Sequence, residues 1–302
     1  MALTPDTQFW HPAPGVRLRL LFRGCPQARG TVLVLHGRTE YLERYAALFD
    51  AWQARGYAVL SLDWRNQGLS HRPLSDPQKH HMPDFTVMVE DLQGLFAHAQ
   101  AQGWWQGRRL IFAHSMGATV ALTWLIRETD PPLDAAILHA PMIDLPLKTP
   151  RLVREMTKAA CRLGLARAYV PGRGPAIKQG KLSGAREHFT RDTEVQAAEQ
   201  ALWEANPDLA VGGVTWGWLA GAFEAIDALA GPGMAERITV PTLVVRAGAE
   251  TVVDNDAIAR FAQAMPNGHM VTIDGAMHEI YRDLDPYRRQ LWQDIDGFLA
   301  GL

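Results

Sequence analysis

The stretch "FAHSMGATVAL", Phe112 to Leu122, sets a serine between two apolar runs and flanks it with small residues, Ala113 and Gly117, two positions away on either side. Upstream, "RLIFAH" (Arg109 to His114) reads as a short buried strand, and downstream "MGATVALTWLIRE" reads as a helix. Ser115 therefore stands at a strand-to-helix turn, where bulk at position 113 or 117 would hold the helix and the neighbouring strand apart. A serine hydroxyl is a weak nucleophile at neutral pH and becomes reactive only beside a base that a third group orients. A strained turn at the carboxyl end of a parallel strand is where a fold can present it. The plain alternative is a serine that caps a helix.

The same alternation of short apolar runs and helical segments extends along the chain. "TVLVLH" (Thr31 to His36), "YAVLSLD" (Tyr57 to Asp63) and "AAILHA" (Ala135 to Ala140) are each followed by a longer segment of helical period. Continuous apolar strands separated by helices indicate a parallel sheet covered on both faces, an α/β architecture. "YLERYAALFDAWQARG" ends at Gly56, a good helix stop. "VRLRLLF" (Val16 to Phe22) alternates apolar and basic residues, which predicts a half-exposed edge strand and an antiparallel opening. "PTLVVRA" (Pro241 to Ala247) and "HMVTID" (His269 to Asp274) resume the strand pattern before a closing helix in "PYRRQLWQDIDGFLAG". Between about Pro146 and Arg237 the pattern is helices joined by Pro/Gly loops, without a convincing strand. The expected division is a core over 1–145 and 238–302, with a helical cap inserted at 146–237.

Composition limits the function classes. With 302 residues, 47% hydrophobic and 21% charged, the chain is that of an ordinary globular protein. A formal net charge of -2 argues against nucleic acid as a partner. Cys25 and Cys161 are too few and too unpatterned for a disulfide framework or a zinc site, so no metal is expected. The opening "MALTPDTQFWHPAPG" lacks a basic segment followed by an apolar one, and no run of about 18 apolar residues occurs. The expectation is a cytoplasmic chain that does not span the membrane.

"AHSMGA" resembles the nucleophile elbow of serine α/β-hydrolases, G-x-S-x-G, and in particular the "HSMGG" form of monoacylglycerol lipases and bacterial lysophospholipases; Ala113 replaces the first glycine. The resemblance implies the α/β-hydrolase fold and Ser115 as nucleophile. "HGRTEYLERY" resembles the family's H-G-x-x-E segment, which implies an oxyanion hole made by the backbone N–H groups of Arg38 and Met116, with the Arg38 side chain incidental and His36 buttressing the loop. "IDGAMHEIYRDLD" resembles its G-x-x-H segment and implies His278 as the base. The family's chain order, serine then acid then histidine, points to "GAETVVDND", where Glu250 takes the acid's place and Asp254, at a helix N-cap, is the alternative. His114 reads as a packing residue, and "KHHMP" (Lys79 to Pro83) as a polar loop. "LDWRNQGLSHR" resembles the D-x-R-G-x-G-x-S turn, with Asn66 at a glycine position.

In the cap, "NPDLAVGGVTWGWLAGAFEA" resembles the N-P-x-L-x-x-G-G-x-T-x-x-W stretch of bacterial lysophospholipases. The implied activity is hydrolysis of a lysophospholipid or monoacylglycerol ester without a cofactor. A general carboxylesterase, an acyltransferase and a non-catalytic binding protein on the same fold are the competing readings. Trp203, Trp216 and Trp218 line an acyl pocket or belong to the core. From Lys148 to Arg191 the chain carries eleven Lys/Arg against Glu155 and Glu187. "RLVREMTKAACRLGLARAYV" sets Leu152, Met156, Ala159 and Leu163 on one helix face and Arg151, Arg154, Lys158 and Arg162 on another. Such a helix rests on an anionic membrane or receives a phosphate-bearing head group, or else its basic face is solvated while its apolar side packs on the core.

Overall fold

The computed structural model describes residues 4, 6–178, 181–182 and 189–302. The apolar runs become one sheet of eight strands, β1 (Thr7–Trp10), β2 (Leu18–Arg23), β3 (Gly30–Leu35), β4 (Tyr57–Leu62), β5 (Arg108–His114), β6 (Ala135–His139), β9 (Thr242–Ala247) and β10 (Gly268–Ile273). Their spatial order is β1-β2-β4-β3-β5-β6-β9-β10, with β2 antiparallel to both β1 and β4 and every other pair parallel. Successive side chains of a strand face opposite sides. Val32 and Val34 of β3 accordingly join Leu48, Phe49 and Trp52 of α1 (Ala46–Ala54) and Leu291 and Ile295 of α8 (Asp285–Ala300). Leu33 and Leu35 join the opposite core with Leu92 of α2 (Thr86–Ala101), Leu122 of α3 (Met116–Arg127) and Phe261 of α7 (Asn255–Ala264). Both faces are thus dry, as the continuous apolar strands require.

The expected edge strand is not an edge. β2 lies inside the sheet, with β1 outside it and the Arg19 side chain buried. The guanidinium donates to both carboxylate oxygens of Glu43 (2.8 and 2.7 Å) and, through Nε, to Asp63 (2.7 Å). The alternation reported the strand's period correctly. It misreported exposure, because a paired buried arginine is indistinguishable in sequence from a solvated one.

Between β6 and β9 run α4 (Pro150–Arg162), α5 (Thr193–Ala205) and α6 (Trp216–Leu229), with α6 packed on both α4 and α3. A two-residue antiparallel ladder, β7 (Ile177–Lys178) with β8 (Lys181–Leu182), also lies there, too short to leave a periodic trace in the sequence. α5 is tied to the core by Glu199, which pairs with Arg44 and Arg282. On α4 the inward face is Val153, Thr157, Ala160 and Cys161. Leu152, Met156 and Leu163 instead point outward, 59%, 48% and 76% exposed, so the apolar side expected to pack on the core is the solvent side. Arg186 and Glu187 of the basic stretch lie outside the described residues. Among those described, no helix is long and apolar enough to cross a membrane.

Candidate active site

Ser115 follows the last residue of β5 and precedes the first of α3, with φ 50° and ψ −117°. Positive φ in a residue with a Cβ costs on the order of 1–3 kcal/mol and persists only where the surroundings impose it. Here they do: the Ser115 N–H donates to the His139 carbonyl (3.0 Å), and the Ser115 carbonyl accepts from Ala118 (3.0 Å) and Met142 (3.2 Å). The hydroxyl holds the helix N-cap position but makes no capping hydrogen bond, which removes the plain alternative. Gly117 meets the reason for its size directly, since a Cβ there would stand 2.5 Å from the carbonyl oxygens of both Leu35 and His36. The turn around Ser115 and the loop after β3 therefore touch backbone to backbone.

That loop is held rigidly. Gly37 N–H donates to Glu40 Oε2 (2.5 Å), which also accepts from the Tyr45 hydroxyl (2.6 Å). His36 is buried, and its ring nitrogens meet the Gly37 carbonyl (2.8 Å) and the Trp64 N–H (3.2 Å), which fixes one neutral tautomer with Nδ1 as donor. Burial pushes its pKa down in the same direction. The backbone N–H groups of Arg38, one residue beyond Gly37, and of Met116, at the start of α3, have no hydrogen-bond partner among the described residues. The first N–H groups of a helix are unpaired within it and carry its positive end. Asn66 adopts φ 67°, a conformation asparagine tolerates better than most residues, so it replaces glycine in the neighbouring turn without changing its shape.

His278 lies in the loop after β10, buried, with its ring 4.7 Å from that of His114, the residue next to Ser115. Its Nδ1 is 2.7 Å from Glu250 Oε2. The other carboxylate oxygen of Glu250 accepts from the N–H groups of Thr251 (2.9 Å), Val252 (2.7 Å) and Val253 (3.3 Å). Burial would raise the Glu250 pKa, but His278 and these amides outweigh it, and the net shift is downward. An ionised carboxylate only accepts, so Nδ1 carries the proton and Nε2 of neutral His278 is left with a lone pair. Asp254 is elsewhere engaged, accepting from Ala257 N–H (2.8 Å) as the N-cap of α7.

Several residues that the sequence left without a role surround this group. His139 is buried, with Nδ1 2.7 Å from Nδ1 of His114, and burial holds both imidazoles well below their usual pKa. Asp283 shapes the His278 loop by accepting from Met277 N–H (2.8 Å) and Leu284 N–H (2.9 Å). Glu40 was visible as the last letter of H-G-x-x-E; for His139 and Asp283 no local pattern signals a role. The polar loop expected at Lys79 to Pro83 is a buried one. His80 lies beside Trp218 with the rings tilted (centroids 5.4 Å apart), and His81 Nδ1 meets Thr215 Oγ1 (2.9 Å). Trp203, Trp216 and Trp218 are all core residues, less than a tenth exposed. A recess of about 700 Å³ opens beside Tyr41, Arg44, Glu199, Leu202 and Tyr281, and none of Ser115, His278, Glu250, Arg38 or Met116 lines it.

A profile of the family described as serine aminopeptidase, S33, matches residues 26–285. The chain belongs to this family. It is 31% identical over 272 residues to lysophospholipase L2 of Escherichia coli strain K12, covering 85% of this chain and 76% of that one. It is 29% identical over 271 residues to the probable lysophospholipase L2 of Haemophilus influenzae, covering 90% and 84%. Among solved structures, a soluble variant of monoglyceride lipase from Saccharomyces cerevisiae superposes with a TM-score of 0.76 at 17% identity, covering 99% of this chain and 96% of that one. The α/β-hydrolase fold and the family read from the elbow, the H-G-x-x-E loop and the cap motif are thereby borne out, and this chain is a hydrolase.

Proposed function

We propose that this hydrolase cleaves the carboxylic ester of a lysophospholipid or monoacylglycerol through an acyl-enzyme on Ser115. The observation that carries the reading is the Nδ1 to Oε2 contact of His278 with Glu250, beside a serine held at positive φ on an elbow. Ser115 Oγ attacks the ester carbonyl while His278 Nε2 takes its proton. Glu250 stabilises the imidazolium and holds the tautomer. The carbonyl oxygen, now an anion, accepts from the Arg38 and Met116 amides, each contributing on the order of 3 kcal/mol. His278 then gives its proton to the departing glycerol oxygen, and the acyl group remains on Ser115. Water attacks next, losing its proton to His278, and the fatty acid leaves as Ser115 regains its hydrogen. The family's name refers to peptides and the relatives' names to lysophospholipids; the cap match to bacterial lysophospholipases favours the ester.

In this reading residues 146–237 form the cap over the site, and the outer face of α4 rests on an anionic membrane. Exposed Leu152, Met156 and Leu163 provide apolar anchors, flanked by exposed Arg151, Lys158 and Arg162. Labelling by a fluorophosphonate probe, abolished in Ser115→Ala, together with release of fatty acid from lysophosphatidylcholine and monoacylglycerol, tests the chemistry. Retention of labelling in Ser115→Ala refutes it. Co-sedimentation with vesicles containing phosphatidylglycerol, weakened by Leu163→Glu, tests the membrane contact, and equal binding of the two proteins refutes it.

A further inference from the structure

The phosphate-bearing head group was expected at the cations of α4, two of which already have carboxylate partners. Arg154 pairs with Asp227 (2.7 Å) and Lys158 with Glu155 (2.9 Å), both on the outer surface. Arg38, whose side chain the sequence left without a role, is different. Its guanidinium stands 5.7 Å from the centre of the Trp218 ring, at the foot of α6, and the residue is half-buried. Among the described residues it has no ion-pair or hydrogen-bond partner. The nearest carboxylate with influence on it, Glu40, is occupied by the Gly37 amide and the Tyr45 hydroxyl. Burial, and then the positive charge of Arg173, push the Arg38 pKa down to about 10, with Glu40 opposing.

A second cation, Arg173, is tied by backbone packing to Gly213 and through it to His80, which lies beside the same Trp218. The segment carrying Arg173 lies against Gly212 and Gly213: a Cβ on Gly213 would stand 2.5 Å from Arg173 Cβ, and one on Gly212 would stand 2.6 Å from the Gly174 carbonyl oxygen. Gly213 N–H donates to that same carbonyl (2.7 Å), and the Gly213 carbonyl accepts from His80 N–H (3.1 Å). His80 is buried beside Trp218, and its Nδ1 has no hydrogen-bond partner among the described residues. The half-buried guanidinium of Arg38 and the imidazole nitrogen, neither with a partner among the described residues, favour an anion that joins them, and exposed Arg173 adds its charge from the solvent side. Arg72, close by, is saturated by the carbonyls of Gly68, Pro77, Asp208 and Ala210.

We propose that Arg38 and Arg173 form a binding site for the phosphodiester of the substrate's head group, with His80 beside it, so that the enzyme prefers lysophospholipid to monoacylglycerol. The proposal rests on the ester-hydrolase reading and adds the head group to it. The phosphorus of a lysophospholipid is about as far from its ester carbonyl as a guanidinium is from its own backbone N–H. One residue thus holds both ends of the glycerol: the Arg38 amide on the oxyanion and the Arg38 side chain on the phosphate. Guanidinium suits this task because its fork matches two phosphate oxygens at once.

The test is the ratio of kcat/KM for lysophosphatidylcholine to that for the monoacylglycerol of the same acyl chain, measured in the same detergent micelles with the full chain. Hydrogen bonds to charged groups are worth roughly tenfold to a hundredfold, so Arg38→Gln lowers the ratio by that factor. Arg38→Lys restores part of it, and Arg173→Gln lowers it less because that side chain is exposed to screening. Arg154→Gln leaves the ratio as it is. Glycerol 3-phosphate competes with an uncharged p-nitrophenyl ester on the wild-type protein, glycerol does not, and Arg38→Gln weakens that inhibition at least tenfold. The melting temperature of Arg38→Gln stays close to that of the wild type, since the guanidinium has no hydrogen-bond or ion-pair partner among the described residues to lose; a merely structural arginine would lower it. An unchanged ratio in both Arg38→Gln and Arg173→Gln, with both esters still hydrolysed, overturns the site while leaving the ester-hydrolase reading intact. Inhibition by inorganic phosphate as strong as by glycerol 3-phosphate overturns the head-group assignment in favour of a free-anion site. Failure of the wild type to hydrolyse either ester overturns the underlying reading instead.

Discussion

Replacing Glu250 by glutamine changes one atom and, through its surroundings, inverts the proton on His278. Three backbone N–H groups, from Thr251, Val252 and Val253, converge on Glu250 Oε1. In Glu250→Gln the amide oxygen must stay there, since an NH2 group would face three donors. The NH2 is then turned to the position of Oε2, 2.7 Å from His278 Nδ1, and donates to it. The imidazole is forced to carry its hydrogen on Nε2, the nitrogen that in the proposed mechanism receives the serine proton. In other serine hydrolases, loss of the correct tautomer lowers kcat by about 10⁴, which corresponds to about 5.4 kcal/mol in the barrier. Asp254→Asn keeps an oxygen at the α7 N-cap and leaves His278 untouched, so its kcat/KM stays within about threefold of wild type and its stability changes by less than ~1 kcal/mol. The assay is kcat/KM on a p-nitrophenyl ester for the two variants side by side, with the fluorophosphonate labelling rate as a second readout. A Glu250→Gln enzyme within tenfold of wild type, or an Asp254→Asn enzyme that loses a thousandfold, would falsify the assignment of the acid. Stability adds an independent check. The Glu250 pKa is lowered by folding, so its contribution is fully present above the ordinary carboxylate pKa and is lost as pH falls through the depressed value. The gap in melting temperature between wild type and Glu250→Gln should therefore narrow as the solution is acidified below the ordinary carboxylate range; a gap that widens contradicts the pairing.

Two further substitutions probe the frame around the site. Gly117→Ala drives a methyl group against two carbonyl oxygens that belong to β3 and its loop, neither of which is a flexible side chain. Overpacking of this kind costs about 1–3 kcal/mol, and a displacement approaching 1 Å in the loop carrying the Arg38 amide lowers kcat/KM by on the order of a hundredfold; unaltered urea midpoint and activity would show that the two backbones are not in contact. Arg19→Met strands Glu43 and Asp63 in the interior without their shared cation. Breaking a buried pair from one side costs about 3–5 kcal/mol, read as a lower urea midpoint at constant slope, and a change below ~1 kcal/mol would mean that the carboxylates are satisfied by other donors.

Sequence by itself pointed to seven of the eight strands of the sheet, to the strand-to-helix junction at Ser115 and to the order of the segments proposed to carry the chemistry, while β1 was missed. Each rests on local rules: apolar runs of strand length, a serine between small residues at a strand-to-helix junction, and a histidine after the last strand. It also offered two candidates for the proposed acid, Glu250 and Asp254, close together in the chain. Local pattern could go no further, because a carboxylate that orients an imidazole and one that caps a helix obey the same short-range preferences. Their difference is the position of His278, 28 residues on, and only the fold decides which carboxylate meets it. Exposure was misread for the same reason at Arg19, at the apolar face of α4 and at His80. Period tells which side chains share a face, whereas what covers that face is set by segments distant in the chain. The Arg38 guanidinium is the sharpest instance: it lies over the ring of Trp218, a residue distant in the chain that only the fold brings to it.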